Sequence, residues 1–298
     1  MLTIFTPTYN RAHTLPRLFA SLQQQDNKDF EWLVADDGST DNTEKLLAEW
    51  VENDNGFPIR YHKLTHGGKQ RAVNFGAAQS LGAYFFIVDS DDYLTPDAVS
   101  FILESFLHLP KDPSFIGISG LKCDPDGRPL GKGFCPPHGL WVDASNIERK
   151  EKGMKADMAE VFFTETLRQY PFPVWKGEDF TPEDVIWDKM ALDGYRLRWF
   201  NKIIYICEYQ RGGLSDSSWR LLRDNPMGFA LLFDIKLRSA KKRKLRLSLL
   251  LNFISCCCLA GEWRFIKESS SPFGAFALFP AGFLLSQRRK RQIKRYLP

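Results

Sequence analysis

Residues 84–92 read Tyr84-Phe85-Phe86-Ile87-Val88-Asp89-Ser90-Asp91-Asp92, an unbroken apolar run that ends in three carboxylates within four residues. A short run of aromatic and β-branched residues with no polar alternation predicts a strand buried on both faces, as in a parallel sheet covered by helices. Like charges placed at one strand end repel one another. A hard divalent cation such as Mg²⁺ or Mn²⁺ is the usual reason to tolerate them. A solvated turn whose aspartates bond backbone amides accounts for the same residue types.

Outward from this segment the same alternation recurs. Leu2–Phe5 predicts a strand ending in the turn-prone 6–10, and Leu15–Gln24 a helix with Leu15, Leu18, Phe19 and Leu22 at helical spacing. Phe30–Ala35 predicts a second strand, Thr43–Val51 a helix, Ile59–Leu64 a third strand, and Lys69–Leu81 a helix before Tyr84–Val88. Thr95 and Pro96 read as N-cap and first residue of another helix. Strands alternating with helices predict an α/β fold with a mostly parallel sheet, and ligands in such sheets sit at the carboxyl ends of strands. Polar clusters fall there after strands one (6–11), two (36–41) and four (89–92). Residues 110–175 are rich in Pro, Gly and charge, with Gly131–Gly139 the expected long loop. The block 177–217 carries a helix and a strand near Ile203–Glu208.

Two more clusters have residue types suited to a phosphorylated ligand. In Asp36-Asp37-Gly38-Ser39-Thr40-Asp41, Gly38 permits a tight turn and a carboxylate can accept a ring N–H from a nucleobase; an ordinary capped turn explains the same residues. In His66-Gly67-Gly68-Lys69-Gln70-Arg71, glycines beside cations can approach a phosphate, or form a plain surface loop. The five histidines show no ligand spacing, and Gly212-Gly213-Leu214-Ser215 fits either an acceptor-side loop or a turn.

The 298-residue chain is 44% hydrophobic and 26% charged, which excludes disorder, collagen-like repeats and a disulfide miniprotein. Its net charge of +4 hides a split. Residues 235–298 hold 15 basic and 2 acidic groups, a balance of +13, and the first 234 hold 25 and 34, a balance of −9. Six cysteines with no CxxC pair suit neither a metal cage nor a disulfide framework. The opening MLTIFTPTYNR lacks the pattern of a signal peptide, so a reducing, cytosolic setting is expected. No apolar stretch reaches the roughly 18–20 residues of a spanning helix; Leu247–Ala260 and Pro272–Leu285 have 14 each and adjoin cation clusters.

Together, TPTYNR (6–11), VADDGSTDNT (34–43), GGKQRAVNFGAAQSLGAYFFIVDSDD (67–92) and GEDFTPEDVIWDKM (177–190) resemble the family 2 nucleotide-sugar glycosyltransferases, of GT-A fold, with the resemblance strongest over 1–105. It implies a GT-A catalytic domain over 1–219, nucleotide-binding in 1–109 and acceptor-side in 110–219, followed by a basic helical region over 220–298. Pro7, Thr8, Tyr9 and Arg11 match the first-strand segment that packs around the nucleotide, and Asp37 the aspartate that bonds uracil, implying a UDP-sugar donor. Lys69 takes the diphosphate role with Arg71 in reserve, because Val73 stands where many members carry an arginine. Asp89, Ser90 and Asp91 match the DxD motif, Asp91 as direct ligand of Mn²⁺ or Mg²⁺ and Asp89 as ligand nearer the ribose.

Family membership implies inversion of the anomeric centre, which needs a carboxylate to accept the attacking hydroxyl's proton. Thr181 and Pro182 read as N-cap and first helical residue, placing Glu183 and Asp184 in the first turn, where acids also suit the helix dipole. Asp184 occupies the capping-box position, which leaves Glu183 as the expected base; counted from the family's Glu-Asp pair, Asp184 is the base. Glu178 and Asp179 form a further acidic pair. The basic end implies a peripheral enzyme on the cytosolic, inner face of an anionic membrane, with Leu247–Ala260 and Pro272–Leu285 as interfacial helices and Cys256–Cys258 as fillers on an embedded face. A packed helical appendage is the competing expectation; nucleic acid is not expected, since no recognition module accompanies the cations. The expected acceptor is a glycan or lipid-linked glycan. A sugar nucleotidyltransferase would need a Gly-rich loop after strand one, which TPTYNR lacks, and a catalytically silent nucleotide-sugar-binding protein is the other alternative.

Overall fold

The computed structural model describes residues 1–132, 140–208 and 218–296. The chain forms two compact units, Met1–Pro171 with Asp193–Gln210, and Phe172–Leu192 with Arg211–Pro298.

The first unit is an α/β layer fold. Its elements are β1 (Leu2–Thr8), α1 (Leu15–Gln23), β2 (Phe30–Asp36), α2 (Thr43–Glu52), β3 (Ile59–Lys63), α3 (Lys69–Gln79), β4 (Tyr84–Ile87), β5 (Tyr93–Leu94) and α4 (Ala98–Leu107). Then come β6 (Phe115–Cys123), β7 (Gly131–Lys132), β8 (Trp141–Ala144), β9 (Lys155–Ala156), β10 (Met158–Phe163), α5 (Thr164–Arg168) and, after α6 (Asp184–Leu192) of the second unit, β11 (Arg196–Ile206). The main sheet runs β3-β2-β1-β4-β10-β6-β11-β5, with β8 also on β11. It is parallel across β3-β2-β1-β4; β10 is antiparallel to β4 and β6, and β6 and β11 are parallel.

Every residue of β1 and β2 is buried, the burial expected of central strands with helices on both faces. Leu15, Leu18 and Leu22 bury one stripe of α1. Helix α3 packs closely on β1 because Gly76 has no side chain: a Cβ there would lie 2.2 Å from the Phe5 ring. Polar atoms on these strands are matched, with Thr3 donating to Glu31 Oε1 at 2.6 Å and Trp32 Nε1 to Thr6 Oγ1 at 3.0 Å. Helix α4 starts later than expected. Thr95 donates to Asp97 Oδ1 at 2.8 Å and residues 95–98 form a turn, so Asp97 rather than Thr95 flanks the first helical residue.

The second unit is helical: α6, α7 (Ser218–Asp224), α8 (Pro226–Ser239), α9 (Arg243–Ala260), a 3₁₀ turn (Trp263–Glu268), α10 (Pro272–Ala277) and α11 (Phe279–Tyr296). Residues 172–192 group here because α6 packs on α8. Helix α9 is central to this unit. Leu249, Leu250, Phe253, Ile254 and Cys256–Cys258 are buried among Ala230, Leu237, Ile266 and Ala275. The stretch Leu247–Ala260, read from the sequence as an interfacial helix with cysteines on an embedded face, is therefore mostly committed to the protein's own core. Gly261, at φ +79°, closes α9 in the left-handed conformation that favours glycine. Among the described residues no helix is long and apolar enough to cross a membrane.

Candidate functional site

The polar segments after β1, β2 and β4 meet at one end of the sheet. Helices leave β1 toward β2 on one side and β4 lies on the other, the switch in strand order where open α/β sheets form a crevice.

The first two segments are tied together by backbone–side-chain bonds. Asn10, at φ +53°, accepts from the Thr40 N–H at 2.8 Å through Oδ1, while its own N–H donates to Ser39 Oγ at 2.8 Å. The Arg11 N–H donates to Thr43 Oγ1 at 3.1 Å and the Ala12 N–H to Asp41 Oδ2 at 3.1 Å. The Ser39 and Thr43 hydroxyls thus hold the loop that carries Tyr9 and Arg11.

Asp37 is buried and its carboxylate gathers the third segment. Its Oδ1 accepts from the Gly67 N–H and its Oδ2 from the Gly68 N–H, each at 2.8 Å, with His66 Nδ1 2.9 Å from Oδ2. The Tyr9 ring stacks on His66 with centroids 4.6 Å apart, and Tyr9 stays half-exposed. Arg71 folds back so that Nη1 donates to the Gly67 carbonyl at 2.5 Å. At the end of β1, Thr8 Oγ1 is buried with no hydrogen-bond partner among the described residues.

The third segment directs Lys69 onto the acidic strand end, with Nζ 2.7 Å from Asp89 Oδ1. Arg11 Nη2 lies 4.0 Å from Asp91 Oδ2, and Arg17 Nη2 donates to the Asp91 carbonyl at 2.5 Å. Ser90 is buried between the two carboxylates. Burial drives the Asp89 carboxyl upward, but the charges of Lys69, Lys122 and Arg11 outweigh it and hold the group below the usual carboxylate range. Burial and then the charge of Asp89 push Asp91 the other way.

Sequence reasoning missed the support beneath this cluster. Tyr205, fully buried on β11, accepts the Asp89 N–H at 2.9 Å and donates to Asp92 Oδ2 at 2.8 Å. The Glu208 N–H donates to Asp92 Oδ1 at 3.0 Å, and burial together with the Asp89 charge pushes the Asp92 carboxyl up to about 7. Lys122 sits over the Tyr205 ring, 4.4 Å from its centroid. The pairing of β11 with β5 on one side and β6 on the other brings these groups together, and no local signal in the sequence encodes it.

The second unit holds the remaining sequence-stated carboxylates. Asp184 is the first residue of α6, and its Oδ2 accepts from Lys236 Nζ at 2.8 Å, as does Asp188 Oδ2 at 2.8 Å. Burial acts to lower the Lys236 ammonium, yet the two carboxylates outweigh it and raise its pKa. Thr181 Oγ1 donates to the Pro173 carbonyl at 3.3 Å rather than capping α6, so the expected capping box with Asp184 does not form. Glu183 precedes the helix, its carbonyl accepting the Ile186 N–H at 2.9 Å. Glu178 accepts the Met227 and Gly228 N–H groups at 2.7 and 2.9 Å and so caps the start of α8. The segment 212–215, together with Cys135 and His138, lies outside the described residues.

The sequence profile of "Glycosyl transferase family 2" matches residues 3–168, over half of the chain and across every strand that carries the acidic cluster. The chain belongs to this family. Among curated relatives, chondroitin synthase from Pasteurella multocida (strain Pm70) is 32% identical over 170 residues, 57% of this chain but 16% of the synthase. Abequosyltransferase RfbV from Salmonella typhimurium is 38% identical over 117 residues, 38% of this chain and 34% of that protein. The chain thus spans only 16% and 34% of these two relatives' own lengths. Among solved structures, residues 1–349 of S. aureus TarS in complex with UDP-GlcNAc superpose with a TM-score of 0.60 at 19% identity, covering 98% of this chain and 91% of that one. The mannosyltransferase PcManGT from Pyrobaculum calidifontis, in complex with GDP-Man and Mn²⁺, gives 0.58 at 19% identity, with 98% and 83% covered. At that identity the likeness establishes the fold, a family 2 GT-A fold, as the motifs implied.

Proposed function

We propose that this family 2 glycosyltransferase transfers a sugar from a UDP-sugar to a hydroxyl of a glycan or lipid-linked acceptor, with inversion and with a divalent cation, in cell-surface polysaccharide synthesis. The observation that carries the reading is the pairing, at the strand-order switch, of the Asp89 and Asp91 carboxylates with Lys69 and Arg11. Carboxylates and cations side by side suit a ligand that brings both a metal and a diphosphate. The activities of the relatives, and the UDP-GlcNAc bound to TarS and GDP-Man bound to PcManGT, support a nucleotide-sugar donor.

Among the described residues no three His, Cys, Asp or Glu side chains form a metal cage. Two carboxylates nevertheless fit Mg²⁺ or Mn²⁺, because such ions complete an oxygen shell with water and substrate phosphates. The upward push of Asp89 on Asp91 is a repulsion that a cation relieves. Asp91 and Asp89 would hold the ion, which when bound supplies positive charge to the leaving diphosphate. Lys69 adds a second positive charge there. Arg71, whose Nη1 bonds the Gly67 carbonyl, stays in reserve for that role. Asp37 shapes the Gly67-Gly68 loop through both oxygens, and its uracil role would be added to that one; Pro7, Thr8, Tyr9, Arg11 and Ser90 surround the nucleotide in this reading.

Glu183 is the proposed proton acceptor and Asp184 the alternative. Asp184 is held in an ion pair with Lys236. The catalytic domain is taken as residues 1–219, drawing 172–192 from the second unit, with 220–298 holding the enzyme peripherally on the inner face of an anionic membrane.

Titration calorimetry with UDP, with and without Mn²⁺, and a panel of UDP-sugars scored for hydrolysis and transfer test the reading. Metal-dependent UDP binding and turnover of at least one UDP-sugar are expected. Binding without turnover would favour a silent binding protein. Glu183→Gln should abolish transfer while Asp184→Asn retains part of it, and the reverse result would move the base to Asp184.

A further inference from the structure

The second unit carries an apolar surface that its own core leaves uncovered. Helices α10 and α11 are separated only by Leu278, across which i to i−4 bonds continue: Leu278 N–H to Gly274 O at 3.0 Å and Gly282 N–H to Leu278 O at 3.0 Å. Ala275, Gly282, Ser286 and Ile293 are buried. At 100° per residue they fall on one side of a helix. Gly282 meets Ile254 of α9 so closely that a Cβ would lie 2.4 Å from that side chain. The opposite side is exposed along its whole length and changes character midway. Phe273 is 89% exposed, Phe276 54% and Leu284 69%, and the same stripe continues in exposed Arg288, Arg291 and Arg295.

Large apolar side chains this exposed mark a surface that meets something apolar. The guanidinium groups on the same stripe point to a companion that is anionic as well, and a bilayer containing acidic lipid is both. Trp263, half-exposed and packed against Phe279 with ring centroids 5.6 Å apart and the rings tilted, adds the aromatic residue favoured at such boundaries. A single-stranded nucleic acid would stack its bases on aromatic residues interleaved among the cations, whereas Phe273 and Phe276 form a block apart from Arg288, Arg291 and Arg295.

We propose that the outer face of α10–α11 is the surface by which the protein sits on an anionic membrane. Phe273, Phe276 and Leu284 enter the headgroup boundary, and Arg288, Arg291 and Arg295 lie against lipid phosphates. This rests on the membrane-surface reading above and replaces α9 as the contacting element.

The full-length protein is sedimented with phosphatidylcholine vesicles, with and without phosphatidylglycerol, at low salt. Wild type should bind only the anionic vesicles. Changing Arg288, Arg291 and Arg295 to Gln should weaken partition on the order of 100-fold, at roughly fivefold per cation. Changing Phe273, Phe276 and Leu284 to Ser should weaken it at least about 10-fold. All six side chains are exposed, and circular dichroism should show an unchanged fold. Changing Lys241, Lys242 and Lys244 to Gln serves as the charge control and should leave most of the binding. Failure of wild type to bind anionic vesicles would overturn the membrane reading and this proposal together. Wild-type binding that neither stripe variant weakens, or that the control weakens equally, would overturn this proposal alone. So would a concentration-dependent dimer, seen by size exclusion, that the Ser variant abolishes without changing vesicle binding.

Discussion

Tyr205→Phe removes one oxygen from beneath the acidic cluster and leaves the ring in place. Tyr205 is fully buried, so no water replaces the hydroxyl and no apolar contact is lost. Two bonds disappear: the 2.8 Å donation to the Asp92 carboxyl and the 2.9 Å acceptance of the Asp89 N–H. Above about pH 7, where the Asp92 carboxyl is ionised, a hydrogen bond to this charged group contributes about 1.5–3 kcal/mol, and an orphaned buried N–H costs about 1–3 kcal/mol. Asp92 keeps the Glu208 N–H, which limits the first loss. The expected destabilisation is therefore about 3 kcal/mol. For a cooperative unit of this size that corresponds to roughly 6–12 °C in Tm. Differential scanning calorimetry reads the shift, and calorimetric titration with UDP and Mn²⁺ should show weaker binding, because the Asp89 backbone is no longer held. A Tm within about 2 °C of wild type would mean that the hydroxyl carries neither bond, and would refute the role given to β11 beneath the site.

Lys236→Met should cost about 2–4 kcal/mol in urea denaturation, mostly through the buried Asp188 carboxylate, since half-exposed Asp184 contributes under about 1 kcal/mol; pairing it with Asp188→Asn should give a loss smaller than the sum. Gly76→Val should destabilise the first unit by at least about 2 kcal/mol, because its side chain must enter the Phe5 ring position; an unchanged midpoint would contradict that packing. Glu178→Ala should cost about 1–3 kcal/mol by freeing two N–H groups at the start of α8, readable as a shifted thermal midpoint. Burial pushes the Cys256 thiol up to about 12 and Cys257 and Cys258 in the same direction, so at pH 8 these three should react with iodoacetamide only after unfolding; rapid labelling of the native protein, read by peptide mass mapping, would place them on the surface instead.

What could be read in the chain alone was what is encoded locally. The apolar run 84–88 and its acidic end, the 3.6-residue spacing of Leu15, Leu18 and Leu22, and the polar groups after three strands belong to contiguous residues, so periodicity and strand-end polarity reveal them. The family motifs are local for the same reason. The charge split at about residue 235 is a matter of counting.

The tertiary structure decided which partner each polar group serves. Asp37 and Gly67 are 30 residues apart and Asp89 and Tyr205 are 116, distances in sequence over which no local pattern specifies a contact. Asp37 and Arg71, both of the types that bind nucleotides, spend bonds on shaping their own loop. The two 14-residue apolar stretches are alike in composition and length, yet most of Leu247–Ala260 fills a core while Pro272–Leu285 leaves Phe273, Phe276 and Leu284 in solvent. Composition measures how apolar a helix is. Whether that apolar side faces the protein or the outside depends on which neighbours pack against it, and only the folded chain sets that.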